Sequence, residues 1–271
     1  MPDRLTNTMP ILKEKGEKAI VPFLVLGYPD RKRFIEAAKA LIEGGATALE
    51  LGLPFSDPVA DGPIIENADR AVLASGQTVD RAIELISTLR ELAPDLPLSL
   101  LTYLNPVLKR GIPRFLKDMK EAGIDGITIV DLPPEEYAEV EPHMKELGLA
   151  PVMLVSPLTT GDRLRKICTM GSGFLYLVSR AGITGLSSTY QDTLSHTLTD
   201  VREHTSLPVL VGFGISSSEQ ARSMVAMGAD GVIVGSKIID IIDRCEEGEM
   251  SHALTAFVSG LKIAMSYNHV S

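Results

Sequence analysis

One pattern recurs along the sequence and limits the folds that the chain can adopt: a short apolar run, a turn rich in Gly, Pro or Asp, and a segment with helical periodicity. Apolar runs that alternate with helices are typical of a parallel sheet buried on both faces. The eight runs lie at residues 19–27, 48–53, 98–103, 126–131, 151–156, 173–179, 208–212 and 231–235. Eight such units in 271 residues suit a barrel, which typically needs about 250. The sequence therefore predicts an α/β fold, a single (β/α)8 TIM barrel domain over residues 1–271, with an open doubly wound sheet as the alternative.

Two further helices are predicted beside this pattern. Residues 5–15 are expected to form an extra N-terminal helix that plugs or flanks the bottom of the barrel, and a short helix is expected after the eighth strand. Three helix-to-strand junctions resemble one another, at residues 43–46, 121–126 and 226–231. In each, a glycine is expected to end the helix in the left-handed conformation shortly before the next strand.

Composition excludes several classes of function. Hydrophobic residues make up 45% of the chain and charged residues 23%, as in a globular protein with ample material for a core. The 26 basic and 35 acidic side chains give a net charge of −9, and no basic block favours nucleic acid or an anionic membrane. No apolar run approaches the roughly 18 residues that span a bilayer, and no signal peptide is recognisable, so a cytoplasmic protein is expected.

The histidines and cysteines give no sign of a metal centre. Cys168 and Cys245 lie in unrelated segments without metal-ligand spacing, and the histidines fall in predicted helices or in the tail. No metal is therefore expected. Lys237 comes nearest to closing a strand, but it belongs to the loop after the eighth run and is not expected to form a Schiff base.

Carboxylates follow the second apolar run, where the working residues of a barrel are expected. Alternation along the run points Glu50 into the barrel if the neighbouring leucines pack outward. Burial there favours the protonated acid and suits general acid/base chemistry, with a salt-bridged or capping glutamate as the alternative. In the next loop Asp57 and Asp61 are both candidates for a second carboxylate or for a helix N-cap, and spacing does not choose between them. Asp131, which ends the fourth run, is interpreted as structural.

Glycines at the ends of the seventh and eighth runs indicate a phosphate site. Loops at these two strands, leading to a short helix, form the common phosphate site of barrels, where free amides and the helix dipole receive the anion. Gly214 and Gly235 allow the backbone to approach a phosphate, and Ser236 can donate its hydroxyl. Residues 182–185, after the sixth run, fit a mobile closing loop that adds another amide.

Several stretches resemble one known family. Residues 49–63 read Leu-Glu-Leu-Gly-Leu-Pro-Phe-Ser-Asp-Pro-Val-Ala-Asp-Gly-Pro, and further matches lie at 103–106, 176–180, 182–185, 212–216 and 235–236. Together they resemble the tryptophan synthase alpha subunit family. The matches run in order over nearly the whole chain, and the long motif at 49–63 is highly specific.

The resemblance implies retro-aldol cleavage of indole-3-glycerol phosphate into indole and glyceraldehyde 3-phosphate. It implies that Glu50 is the acid/base that protonates the indole ring carbon, that Asp61 accepts the indole N–H, and that Tyr176 is an auxiliary group beside Glu50. Thr184 would meet Asp61 when the loop closes. The indole pocket would be lined by Phe23, Leu101, Tyr103 and Val130. The phosphate would be held by Gly185, Phe213, Gly214, Gly235 and Ser236.

The resemblance also implies a partner. Pro54, Asp57 and Asn105 would face a beta subunit in an αββα heterotetramer, and the beta subunit would carry pyridoxal phosphate and receive indole through a tunnel. No cofactor is expected in this chain itself. Residues 186–189 read Leu-Ser-Ser-Thr, where many relatives carry alanine and then a charged residue, which affects the expected coupling to the partner. The alternatives are a stand-alone indole-3-glycerol phosphate lyase, a catalytically weak allosteric subunit and a generic phosphosugar isomerase barrel.

Overall fold

The computed structural model describes residues 3–178, 188–212, 214–246 and 248–266. Within these ranges nine parallel strands form one sheet in the order β5-β4-β3-β2-β1-β9-β8-β7-β6. The strands are β1 (Ala19–Val25), β2 (Leu49–Gly52), β3 (Leu98–Thr102), β4 (Gly126–Ile129), β5 (Ala150–Pro151), β6 (Met153–Val155), β7 (Leu175–Val178), β8 (Val209–Gly212) and β9 (Gly231–Val234). The predicted barrel is confirmed, and the alternative of an open doubly wound sheet is wrong.

The fifth predicted strand is divided into two short segments, and the division closes the barrel. β5 pairs with β4, whereas β6 pairs with β7 on the other side. Between them Val152 donates its amide to the Ile127 carbonyl at 3.0 Å, so the chain itself joins the two ends of the sheet. Pro151 has no amide N–H to donate, and its carbonyl accepts from the Ser172 amide at 2.9 Å, so the pairing changes partner there.

Helices surround the strands and cover their outward faces. The helices are α1 (Arg4–Glu14), α2 (Arg31–Glu43), α3 (Pro63–Ala74), α4 (Val79–Leu92), α5 (Leu104–Arg110), α6 (Ile112–Ala122), α7 (Glu141–Leu147), α8 (Gly161–Met170), α9 (Ser188–His204), α10 (Ser218–Ala226), α11 (Ser236–Arg244) and α12 (Met250–Ser266), with a 3-10 helix over Pro134–Glu139. Outward strand residues such as Leu49 and Leu51 pack with helix residues such as Phe34 and Leu41 in one buried cluster. Burial of this apolar surface is the dominant favourable term in folding. Across the described ranges, no helix is long and apolar enough to cross a membrane.

The predicted N-terminal helix α1 plugs the bottom of the barrel. Its Leu5 and Met9 are buried in a second cluster with inward-facing side chains such as Val21 and Phe174. A Cβ on Gly126 would stand 2.7 Å from Leu5 Cδ2, so glycine is needed where the plug meets the start of β4. Apolar atoms therefore fill this end of the barrel, and the carboxyl ends of the strands remain for a site.

The three similar junctions share a structure as well as a sequence. Gly45, Gly123 and Gly228 have φ of +98°, +111° and +105°, a region that favours glycine, so the predicted left-handed turns are confirmed. At the first junction Thr47 accepts from the Ile20 amide and donates to the Ile20 carbonyl, both at 2.9 Å. The side chain thereby ties the chain ahead of β2 to the neighbouring strand β1.

Asp125 occupies the equivalent place before β4. Its carboxylate accepts from the Leu98 amide at 3.0 Å and pairs with Arg90 at 2.8 Å and with Arg4 of α1 at 3.0 Å. Asp125 is 1% exposed, so its charge depends on these partners for compensation.

Asp230 repeats the arrangement before β9. Its carboxylate accepts from the Val209 amide at 2.8 Å and pairs with Arg202 and, at 3.7 Å, with Lys13. The plug helix α1 is therefore bound near both of its ends by carboxylates that precede strands.

Candidate active site

A cavity of about 420 Å³ opens at the carboxyl ends of the strands, away from the plug helix. Its wall includes side chains of β1, β3, β7 and β9 together with the loops that follow β2, β8 and β9. Seven of the predicted site residues line it: Phe23, Asp61, Leu101, Tyr176, Gly214, Gly235 and Ser236. The structure therefore brings most of the predicted pocket together at the end of the barrel where such sites lie.

Three predicted catalytic or indole-pocket residues that the structure describes are not among those lining this cavity: Glu50, Tyr103 and Val130. Val130 lines a second cavity of about 410 Å³ with Asp131 and Tyr137, and it is not among the residues that line the first. Gly185, Thr184 and Phe213 lie outside the described residues.

Glu50 is fully buried inside the barrel, as the alternation of β2 predicts. It pairs in register with Phe23, while Leu49 and Leu51 belong to the outer cluster. Neither of its carboxylate oxygens has a hydrogen-bond partner among the described residues, which does not support a salt-bridged or capping glutamate. Burial, and secondarily the charge of Asp61, raises the pKa of Glu50 to about 8. The side chain is therefore a neutral acid at pH 7.

Asp61 lines the cavity beside Tyr103. The Tyr103 hydroxyl donates to Asp61 Oδ2 at 2.7 Å and accepts from the Ala60 amide at 3.1 Å. Burial raises the pKa of Asp61, the Tyr103 hydrogen bond opposes that rise, and the charge of Glu66 adds to it. Helix α3 begins with Gly62 as its N-cap and without a side-chain cap, so the N-cap interpretation of Asp61 is wrong.

The structure shows which of Asp57 and Asp61 faces the cavity, a choice that their spacing in the sequence leaves open. Asp57 is exposed and accepts from the Ser56 hydroxyl at 2.5 Å, whereas Asp61 faces the cavity. Of the two, Asp61 is the one that can contact a molecule in the cavity together with Tyr176.

Two strand-end glycines, which are not among the predicted site residues, make room for aromatic rings of the site. A Cβ on Gly212 would lie 2.2 Å from Tyr176 Cε2, and one on Gly52 would lie 2.4 Å from Phe23 Cζ. Burial, followed by the charges of Glu50 and Asp61, raises the pKa of the Tyr176 hydroxyl well above its usual value. Tyr176 is therefore a neutral hydroxyl whose pKa responds to the charges of both carboxyls. Glycine as the last residue of an apolar run is the signal that could have revealed these positions.

Asp69 is a further buried carboxyl and is not among the predicted site residues. It lies on the buried stripe of α3 and is 4% exposed. Burial, with the charges of Asp61 and Glu66, raises the pKa of Asp69 to about 8. An acidic residue on the apolar stripe of a helix is the signal for such a group.

The predicted phosphate loops adjoin the same cavity. Gly214 has φ of +77°, and Gly235 precedes helix α11, the predicted short helix, whose first residue is Ser236. The first amides of α11 have no partners within the helix, and the helix dipole favours an anion at this end. Lys237, Asp240 and Arg244 of α11 line the cavity as well.

Asp131 accepts a hydrogen bond from the Leu104 amide at 2.7 Å, at the start of α5. This contact fits the interpretation of Asp131 as a structural carboxylate. Because Leu104 follows Tyr103, Asp131 also helps to position the residue that binds Asp61.

The residues predicted to face a partner lie around a groove outside the barrel mouth. Pro54 and Asn105 line this groove, whose volume is about 690 Å³. Asp57 is exposed next to Ser56, which also lines the groove. The predicted partner residues therefore share one region of the surface.

Comparison with known proteins gives a consistent result. The family model for the tryptophan synthase alpha chain matches residues 9–265. The tryptophan synthase alpha chain of Citrifermentans bemidjiense is 42% identical over 259 residues, covering 96% of each chain. The crystal structure of the tryptophan synthase alpha chain from Legionella pneumophila has a TM-score of 0.89 at 32% identity and covers 100% of both chains.

A solved complex is also similar. The tryptophan synthase α2β2 complex from Pyrococcus furiosus contains a chain that matches with a TM-score of 0.82 at 35% identity, covering 90% of this chain and 98% of that one. The match of the family model over most of the sequence, with relatives of this identity and coverage, shows that the chain belongs to the tryptophan synthase alpha chain family.

Proposed function

We propose that Glu50 and Asp61 catalyse the retro-aldol cleavage of indole-3-glycerol phosphate in this lyase of the tryptophan synthase family. The observation that carries the proposal is the state of Glu50: a carboxyl group buried in the barrel without a partner among the described residues, in register with Phe23, which lines the cavity together with Asp61. Burial of an unpartnered polar group destabilises the fold, so its presence beside a residue of the cavity wall favours a role in catalysis.

The reaction moves one proton from a hydroxyl group to a ring carbon. Glu50, as the neutral acid, protonates the indole carbon that bears the side chain, and Asp61 stabilises the positive charge by accepting the ring N–H. The Glu50 carboxylate then removes the proton from the hydroxyl on the adjacent carbon. The carbon–carbon bond breaks, its electron pair returns to the ring, and glyceraldehyde 3-phosphate and indole form, with Glu50 again protonated. General acid–base catalysis of this type contributes about 10²–10⁴-fold.

The two ends of the substrate would be held by different parts of the cavity. Phe23 and Leu101 offer apolar contact for the indole ring beside Tyr176. Gly214, Gly235 and Ser236 offer amides and a hydroxyl for the phosphate at the start of α11. Binding at both ends would hold the carbon–carbon bond that breaks between Glu50 and Asp61. The binding energy is thereby used to orient the substrate for the reaction.

The chain works with a tryptophan synthase beta subunit, which holds the pyridoxal phosphate, and it has no cofactor of its own. We place the partner on the surface around Pro54, Asp57 and Asn105, in an αββα complex. The cytoplasm, where a biosynthetic complex of this type would operate, is the proposed location.

The test is release of indole from indole-3-glycerol phosphate by the wild type, Glu50→Gln and Asp61→Asn, each alone and with a beta subunit. We expect both variants to lose at least about 100-fold in kcat while remaining folded, and the beta subunit to increase the rate of the wild type. Full activity of Glu50→Gln would overturn its assigned role. Equal rates with and without the partner would favour a stand-alone lyase.

A further inference from the structure

Three charged side chains of α11 lie on the cavity side of the helix. Lys237, Asp240 and Arg244 line the cavity, whereas Ile238, Ile239 and Ile242 on the opposite face are buried in the core. Lys237 Nζ lies 2.8 Å from Asp240 Oδ2, and Arg244 Nε lies 2.6 Å from Asp240 Oδ1. Asp240 therefore has one oxygen for each of two cations.

Of the two cations of α11 that line the cavity, Lys237 is the one nearer to the phosphate loop at the start of the helix. It directly follows Ser236 in the first turn of α11, and helical side chains incline toward the N-terminus of their helix. Arg244 lies two turns farther along, about 10 Å away at 1.5 Å per residue. The Arg244 side chain is 77% exposed, whereas that of Lys237 is 32% exposed, so Lys237 is also the less solvated of the two.

The charges on the cavity wall are a second reason to expect that Lys237 helps to bind an anion. Among the described residues, the charged side chains that line the cavity are Asp61, Lys237, Asp240 and Arg244, two acids and two bases. Without Lys237 the wall would carry a net negative charge, in a chain whose overall charge is −9. A phosphate dianion would then be held by amides and a hydroxyl beside Asp61, while Arg244 remains paired with Asp240.

We infer that Lys237 binds the substrate phosphate directly, leaving Asp240 for the phosphomonoester when the ligand enters. Asp240 stays paired with Arg244, so the exchange does not leave its carboxylate without a cation. The inference rests on the proposed function, because it assigns a residue to the phosphate end of the same cavity. The competing interpretation is that Lys237 and Asp240 form an ordinary surface ion pair three residues apart, which would contribute little to stability and nothing to binding.

The experiment uses the full chain with its beta subunit and compares Lys237→Gln, Lys237→Arg and Asp240→Asn. Steady-state kinetics give KM and kcat for indole-3-glycerol phosphate, and separate titrations measure binding of inorganic phosphate and of indole. Lys117→Gln is the matched control, because Lys117 is an exposed lysine of α6 whose loss changes the net charge by the same amount.

We expect Lys237→Gln to raise KM about tenfold with kcat nearly unchanged, to weaken phosphate binding similarly and to leave indole binding as it was. Lys237→Arg retains most of the phosphate affinity, and Asp240→Asn increases that affinity because Lys237 loses its competing partner. Lys117→Gln changes none of these quantities.

Unchanged phosphate affinity in Lys237→Gln would overturn the inference, and so would a loss in Asp240→Asn as large as that in Lys237→Gln. Failure of the proposed function is a separate result, because a wild type that binds phosphate through Lys237 but does not cleave indole-3-glycerol phosphate would contradict only the reaction.

Discussion

Tyr103 fixes Asp61 at the edge of the cavity through a hydroxyl that makes two hydrogen bonds. It donates to Asp61 Oδ2 at 2.7 Å and accepts from the Ala60 amide at 3.1 Å, so one side chain binds two consecutive residues of the loop after β2. The Phe55 ring stacks on Tyr103 with centroids 5.3 Å apart. The loop is thereby attached to the start of α5, and the charge of Asp61 has a defined position.

Tyr103→Phe should keep the ring packing and remove this hydrogen bond. Because the bond favours the carboxylate form, its loss raises the pKa of Asp61 further, and the acidic limb of the kcat/KM profile should move to higher pH. We expect kcat/KM at pH 7 to fall about tenfold, since a hydrogen bond to a charged group contributes roughly 1.5–3 kcal/mol. The measurement is the pH dependence of indole release.

Tyr137→Phe is the matched control for this substitution. Its hydroxyl is also buried, but it contacts Met144 Sδ at 3.8 Å, outside the cavity that Asp61 lines. A shift of the acidic limb of the same size in both variants would contradict the role given to Tyr103.

Glu50→Gln should lose turnover and gain stability at alkaline pH. The folded state keeps the Glu50 proton up to a pKa of about 8, whereas the unfolded chain releases it near 4.5. Between these values the folded state binds more protons, so ionisation of Glu50 lowers the stability of the wild type as pH rises. Glutamine removes that dependence, and the variant should be more stable by up to about 4 kcal/mol at pH 8 but not at pH 4.5.

Urea unfolding of the wild type and Glu50→Gln across this pH range tests the prediction, with Glu84→Gln on the exposed face of α4 as the control. A stability difference that does not change with pH would show that Glu50 is not held as a neutral acid.

The barrel was predictable from the sequence because its signals are local. Continuous apolar runs, helical stripes and glycine junctions each depend on a few neighbouring residues, and alternation within one strand was enough to place Glu50 inside. The division of the fifth strand was not predictable in this way, because Val152 donates to Ile127 of one neighbouring strand and the next residues pair with another. Which partner a strand segment takes depends on the whole closed sheet.

Side chains outside the strands were harder to place. The choice between Asp57 and Asp61 depends on how their loop folds back over the barrel, which the Tyr103 hydroxyl determines from a distant part of the sequence. Lys237 looked like a loop residue, because the orientation of α11 toward the cavity is set by packing rather than by the sequence of the helix. Asp69 was missed because an acidic residue within a helix is normally exposed.

Asp69→Asn tests whether Asp69 takes part in the reaction, as Glu50 is proposed to do. The alternative is that Asp69 is a buried carboxyl that only lowers the stability of the fold. Asp69 shares with Glu50 a pKa raised to about 8 by burial, but it lies on the buried stripe of α3, whereas Glu50 lies on the barrel strand β2. By the same proton balance, its ionisation lowers the stability of the wild type as pH rises from about 4 to 8. The variant should therefore be more stable at pH 8 by up to about 5 kcal/mol and, unlike Glu50→Gln, should retain most of its turnover. Thermal unfolding at pH 8 and the indole assay provide both readouts, and a loss of turnover comparable to that of Glu50→Gln would place Asp69 in the reaction.

Asp125→Asn should lower the free energy of unfolding more than Asp230→Asn does, although the two carboxylates occupy equivalent places before their strands. The partner Arg90 of Asp125 has a side chain only 14% exposed, so asparagine leaves a cation without compensation in a poorly hydrated position, at a cost of about 3–5 kcal/mol. The cations beside Asp230 are 29% and 30% exposed, and water can replace part of the lost interaction, so we expect a smaller cost, about 1–3 kcal/mol. Urea unfolding measures both. Because both sites lie at the end of the barrel where α1 binds, kcat/KM of the folded enzyme should not change. A larger loss in Asp230→Asn than in Asp125→Asn would show that exposure of the cations does not control the cost.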